Sequence, residues 1–128
     1  MMSRRSARGQ TLVEFALVAP LFVLVLIGII NAGYAIYAYN TVANAARVAA
    51  RVAIVNQSTA DIEAEARRLT VALDSAAVTV QQVPCAAIGC QYSVTVAFDF
   101  EPIAPLIGDL FNPTISSTAV MPVESVNP

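Results

Sequence analysis

Few groups in this 128-residue chain can do chemistry, and three sets of them stand out by type and spacing. Glu14 is the one carboxylate before Asn56, and it sits at the edge of the apolar run from Phe15 to Ile30. Cys85 and Cys90 stand five apart in Pro-Cys-Ala-Ala-Ile-Gly-Cys, and Arg47 and Arg51 recur one helical turn apart. His, Lys and Trp are absent, which removes the commonest general base and the commonest neutral metal ligand. Two thiolates without a His or a further Cys cannot complete a tetrahedral zinc site, so neither a metal nor a cofactor is expected. A loop-closing disulfide is the better use of the cysteines, two free thiols being the alternative, provided that the segment faces an oxidising compartment. Glu63 and Glu65 do not make a catalytic pair, because two residues apart on a helix they point in different directions. With no phosphate-binding Gly loop and no nucleophile-base arrangement, an enzyme is not expected.

The elements that position these groups follow from hydropathy. Residues 10–55 read as one long helix, with a transmembrane segment over about 12–39 followed by an amphipathic half. Pro20 removes one hydrogen bond there and is expected to bend the helix. Gly28 and Ala32 form a single small-xxx-small pair, which is weak support for close helix packing. Tyr34, Tyr37 and Tyr39 suit the outer membrane interface, and packing in a core explains any one of them as well. From Asn40 the pattern turns amphipathic: Asn40, Asn44, Arg47 and Arg51 share one face, and Val42, Ala45, Ala49 and Val52 another. The arginine face could contact an acidic partner, although a solvated helix face is the more frequent meaning of such spacing.

Asn56 to Thr59 reads as a turn and Asp61 to Leu73 as a second helix, with Ser58 and Asp61 resembling a capping box. Ala76 to Val83, Tyr92 to Glu101 and Ile115 to Glu124 read as strands. The Cys85–Cys90 segment is the hairpin loop between the first two, and a short helical turn is expected at Leu106 to Phe111. The fold class is therefore α+β: a long N-terminal helix, and a second helix packed with it on an antiparallel sheet of about three strands. The domain over 56–128 is small enough that a disulfide or a borrowed helix face would complete its core.

Charge is distributed unevenly. Through Val55 there are five arginines and one acid, and from Asn56 eight acids and two arginines. The acidic outer part argues against nucleic acid as a ligand. Arg4, Arg5 and Arg8 precede the apolar run, which predicts a cytoplasmic N-terminus, a single pass through the inner membrane and an extracytoplasmic C-terminal domain. An ordinary secretory signal would have a shorter apolar core and a small-x-small cleavage site, and a plain signal anchor would give Glu14 no role.

The order Arg-Gly-Gln-Thr-Leu-Val-Glu-Phe resembles the prepilin peptidase site of type IV pilin-like proteins. That resemblance makes residues 1–9 a basic leader, places the cut between Gly9 and Gln10, and puts Glu14 fifth in the mature chain. Physical chemistry adds a reason for the carboxylate. At a membrane helix terminus it costs a few kcal/mol unless paired, and cleavage creates an α-ammonium nearby, in a filament that of a neighbouring subunit.

The longer run Arg-Gly-Gln-Thr-Leu-Val-Glu-Phe-Ala-Leu-Val-Ala-Pro, followed by Tyr-Ala-Tyr-Asn and Asn-Ala-Ala-Arg-x-Ala-Ala-Arg, resembles the TadE-like family, minor pseudopilins of the tight-adherence (Flp-type) pilus. Asn31 and Tyr34 stand where many relatives carry Glu and Arg, and Val48-Ala49 replaces a frequent Glu-Gly. The resemblance implies a role in pilus biogenesis or initiation. The partners it implies are prepilin peptidase, other pilins and pseudopilins, the inner-membrane assembly platform and the lipid bilayer. The alternative is a permanently anchored envelope protein whose small outer domain binds a partner.

Overall fold

Apart from Pro20, nothing between Arg4 and Val55 stops a helix strongly, and a computed structural model carries one helix, α1 (Arg4–Val55), through the whole stretch with Pro20 inside it. Residues 4–56, 58–74, 77–85, 87–102 and 113–123 are described. The helix starts at Arg4, six residues before Gln10. Arg and Ala are strong helix formers, and the single Gly9 costs only about 1 kcal/mol relative to Ala, too little to break a helix this long.

The chain divides into two compact units, Met1–Gly33 and Tyr34–Pro128. In the first, the large apolar side chains from Leu12 to Ile30 are exposed. In the second, α1 buries Ala38, Val42, Ala45, Ala46, Ala49, Ala50 and Ala53. This is the face expected from the amphipathic pattern, widened by additional alanines. Asn40, Asn44, Arg47 and Arg51 are exposed, as the same pattern requires.

Three strands form an antiparallel sheet in the order β1-β2-β3: β1 (Val78–Val83), β2 (Gln91–Asp99) and β3 (Thr114–Pro122). The register places Val80 opposite Val96 on one side of the sheet's middle strand, and Ser117 opposite Val96 on the other. Strict alternation decides which face is dry. Tyr92, Val94, Val96 and Phe98 are buried and join one core cluster with the alanines of α1, whereas Thr95 and its neighbour Thr118 pair their hydroxyls at 2.8 Å on the outer face. The middle strand closes at Asp99 because Phe100 donates its N–H to the Pro113 carbonyl and Pro102 has no N–H to continue a ladder.

The second helix, α2 (Thr59–Leu69), is shorter than the hydrophobic pattern suggests, and its cap differs. Ser58 makes no side-chain capping bond. Asn56 does the local work instead: its Nδ2 donates to Asp61 Oδ2 at 2.8 Å and its Oδ1 accepts from the Ser58 N–H at 3.2 Å. At the other end, Thr70 Oγ1 reaches the carbonyls of Ala66 and Arg67, both at 3.2 Å, and so satisfies acceptors that a continuing helix would have used. A following turn, Leu73 N–H to Thr70 carbonyl, lets Leu73 enter the core although it lies outside the helix. Val71 is left 83% exposed.

A polar bridge fastens α2 to the sheet. Tyr92 Oη donates to Gln82 Oε1 at 2.9 Å, and Gln82 Nε2 donates to the Thr59 carbonyl at 3.0 Å. Because Tyr92 is buried, its hydroxyl needs such a partner. The helical turn expected at Leu106–Phe111, the strand start at Ala76 and the strand end at Glu124 lie outside the described residues.

Candidate functional site

Gly9, Gln10 and Glu14 lie along α1 within about a turn and a half and are all exposed. Gln10 Nε2 reaches Glu14 Oε1 at 3.5 Å, the long end of a hydrogen bond, as an i,i+4 pair. Leu12, Val13, Phe15 and Leu17 are exposed, so beyond Gln10 and Thr11 this carboxylate stands at the edge of an apolar surface. A Cβ added at Gly9 would meet nothing within 4 Å. Packing in the folded chain therefore does not select glycine there, and helix propensity alone would favour alanine.

Gly9–Val55 is long and apolar enough to cross a membrane, with none of its most apolar window buried within the protein. The tyrosines that follow divide. Tyr34 packs on the core with its ring centroid 5.4 Å from that of Phe100, whereas Tyr37 and Tyr39 are 48% and 56% exposed.

Cys85 and Cys90 are joined by a disulfide, with Cα atoms 6.1 Å apart. Gly89, inside the loop, has φ +85°, a left-handed conformation that a residue with a Cβ adopts only at a cost of about 1–2 kcal/mol. This turn aims the Gly89 N–H at the Val123 carbonyl at 3.0 Å, and the Val123 N–H returns to the Cys90 carbonyl at 2.8 Å. The loop thereby holds the chain just beyond β3 as well as joining β1 to β2. In cells, alkylation is expected to find two additional thiols only after reduction. Labelling of both cysteines without reductant in fresh lysate would show that the bond does not persist. Closing so short a loop contributes about 2 kcal/mol, so Cys85→Ser should soften the domain in a denaturant titration without preventing membrane insertion.

Catalytic pairing of the α2 carboxylates finds no geometric basis. Arg67 Nε meets Glu63 Oε1 at 2.9 Å, and Arg68 Nη2 meets Glu65 Oε1 at 2.6 Å, so each glutamate turns to its own arginine. Exposed i,i+3 and i,i+4 pairs of this kind support a short helix by a few tenths of a kcal/mol each. Among the described residues, no group of three or more His, Cys, Asp or Glu side chains could hold a metal ion. Arg47 and Arg51 are exposed on α1, more than 30 residues along the chain from Glu14.

Sequence reasoning overlooked Asn56 and Gln82, whose side chains close the start of α2 and tie it to the sheet. Gln82 has no short-range signature, because its use depends on bringing Thr59 and Tyr92 together across the fold, whereas Asn56 two residues before Ser58 has the local spacing of an Asx turn.

Comparison with known proteins identifies one segment. Residues 9–51 match the family described as TadE-like protein, which is associated with the Tad pilus and is not a family of enzymes. No curated protein and no solved structure matches the chain.

Proposed function

We propose that this chain is a minor pseudopilin of a Tad-type pilus, cleaved by prepilin peptidase between Gly9 and Gln10 and active in pilus biogenesis or initiation. Glu14 carries the reading: an exposed carboxylate on an apolar helix surface, five residues after Gly9, inside the segment that matches the TadE-like family. Such a group is costly beside hydrocarbon unless it meets a cation, and the new α-ammonium of a neighbouring subunit is the cation that cleavage supplies.

In this proposal the N-terminus is cytoplasmic, held by Arg4, Arg5 and Arg8, and the globular unit is extracytoplasmic. Tyr34, Ala35 and Ala38 pack in that unit, which favours a lipid-facing run from about Leu12 to Gly33 within the broader apolar stretch to residue 39. The roughly 22 residues from Leu12 to Gly33 rise about 33 Å, which still matches a hydrocarbon core of about 30 Å. The partners are prepilin peptidase, other pilins and pseudopilins, the assembly platform and lipid.

N-terminal sequencing or intact mass of the protein, from cells with and without prepilin peptidase, tests the reading. The expected mature protein begins at Gln10 only where the peptidase is present. A chain that begins at Met1 or Met2 in both strains refutes it and leaves a plain anchor.

A further inference from the structure

Two pairs of like charges in the globular unit are left without counter-charges of their own. Arg47 and Arg51 are exposed on α1, and among the described residues neither has an ion-pair partner. Like charges one turn apart weaken a helix slightly, so nothing in the isolated domain favours the pair. Asp99 and Glu101 are exposed on either side of Phe100 at the end of β2. Asp99 accepts a hydrogen bond from Thr114 Oγ1 at 2.9 Å, and neither acid meets a cation among the described residues.

Their placement is complementary in three ways. The arginines lie on α1 away from its buried alanine face, and Asp99 lies on the sheet face turned away from the core, with Glu101 following in the same alternation, so the two pairs occupy opposite sides of the unit. Arg47 and Arg51 are separated by about 6 Å of helix rise, and Asp99 and Glu101 by about 6.8 Å of extended chain, so two cations can face two anions in step. The outer sheet face beside Asp99 presents Ser93, Thr95, Ala97, Ser116 and Thr118, without a further charge that would repel a neighbour.

We infer that Arg47 and Arg51 of one copy of this chain pair with Asp99 and Glu101 of a second copy, head to tail. The pairing cannot close within one chain. Tyr34 rests on Phe100, which sets the acid pair level with Tyr34, whereas Arg47 and Arg51 lie about 20 and 26 Å farther along α1. For the pairs to meet, the copy that offers its acids must be displaced by about 23 Å along the helix direction, away from the N-terminal end of the copy that offers its arginines. A head-to-tail contact of this kind propagates and does not close into a symmetric dimer. Copies level with each other along this part of α1 cannot form it, so it arises as one copy advances past another. The inference rests on the proposed place of this protein in a pilus array, and it names the surfaces by which copies stack there.

The test uses the full-length chain as the only copy in pilus-forming cells, with Arg47→Glu/Arg51→Glu, Asp99→Arg/Glu101→Arg and the four changes together. N-terminal mass and membrane level should stay normal in all three strains. Surface pili should fall about tenfold in each double reversal and return in the combined variant, because the two pairs are exchanged and not lost. Double reversals that lose pili without recovery in the combined variant overturn pairing between copies. Should a reversal lower the protein level, the milder Arg47→Gln/Arg51→Gln and Asp99→Asn/Glu101→Gln variants serve, with an expected drop of two- to threefold. Normal pili in every charge variant, together with loss of pili on Glu14→Ala, reject this contact and leave the pseudopilin reading standing. Normal pili with Glu14→Ala and on deletion of the gene reject both.

Discussion

Alanine in place of Glu14 is expected to leave the chain cleaved and membrane-bound and to remove surface pili. The two halves of this result come from opposite effects of one carboxylate. Beside hydrocarbon the charge is a cost, so its loss makes insertion no harder and slightly easier. In the proposed array the same charge would answer the α-ammonium of a neighbour, and an ammonium left unpaired in a low-dielectric bundle costs several kcal/mol, enough to lower docking by a hundredfold or more. Among the described residues, Glu14 has only the 3.5 Å contact to Gln10, so its removal should not disturb the fold. The measurement is a three-way readout from one strain: N-terminal mass, membrane fraction, and pili counted after shearing or by microscopy. Glu14→Gln separates charge from polarity. Pili at normal number in the alanine strain, with none after deletion of the gene, would show that the protein is needed but that this carboxylate does not dock it.

A bulky residue at Gly9 should abolish processing altogether while leaving the structure intact. Position 9 is exposed and a Cβ added there meets nothing within 4 Å, so the helix should tolerate a phenylalanine. Any requirement for glycine must then come from the peptidase, whose active site has to admit the backbone on either side of the bond to be cut. The bond proposed for cleavage lies inside α1, which starts at Arg4, so an enzyme that cuts there would also have to unwind about a turn of helix to reach it. Glycine lowers that cost, by about 1 kcal/mol relative to alanine. Gly9→Ala is therefore expected to be cut slowly and Gly9→Phe not at all, as read from the ratio of full-length to mature protein after a pulse of synthesis. Equal maturation of the phenylalanine variant and the natural sequence would place the cut elsewhere or remove it.

The long helix, its amphipathic turnover at Asn40, the α+β class and the three-strand sheet were legible in the sequence because each rests on a strong period. The alternation of Tyr92, Val94, Val96 and Phe98 defines a buried face whatever the neighbouring strands do. Boundaries were less legible where a single side chain decides them. Leu73 continues the apolar pattern of α2 and is indeed buried, but it arrives through a turn, since the Thr70 hydroxyl takes the last helical carbonyls. At the opposite end, a capping box at Ser58 and Asp61 is locally reasonable, and Asn56 displaces it by bonding both residues. The helix start at Arg4 was missed for a different reason: a glycine before a cleavage motif looks like a boundary, yet one glycine is a weak breaker. Of the candidate site, Gly9, Gln10 and Glu14 stand out in the sequence by their order alone, whereas the placement of Arg47 and Arg51 opposite the face that carries Asp99 and Glu101 is defined only once the helix and the sheet are folded against each other.

The alanine face of α1 also bears on the order in which the chain is made. Synthesis delivers α1 first, and every strand that covers its residues 38–53 emerges later, so this face must wait in water until the last strand arrives. A waiting face of leucine or phenylalanine would offer each exposed turn as a sticky site to chaperones, to lipid or to another unfinished chain. Alanine exposes one methyl per position and loses little by waiting, yet once the sheet is complete these residues share one buried cluster with Tyr92, Val94 and Val96. The protein thus keeps its strongly apolar surface in the segment suited to lipid and uses a quiet one where a partner surface is still to come.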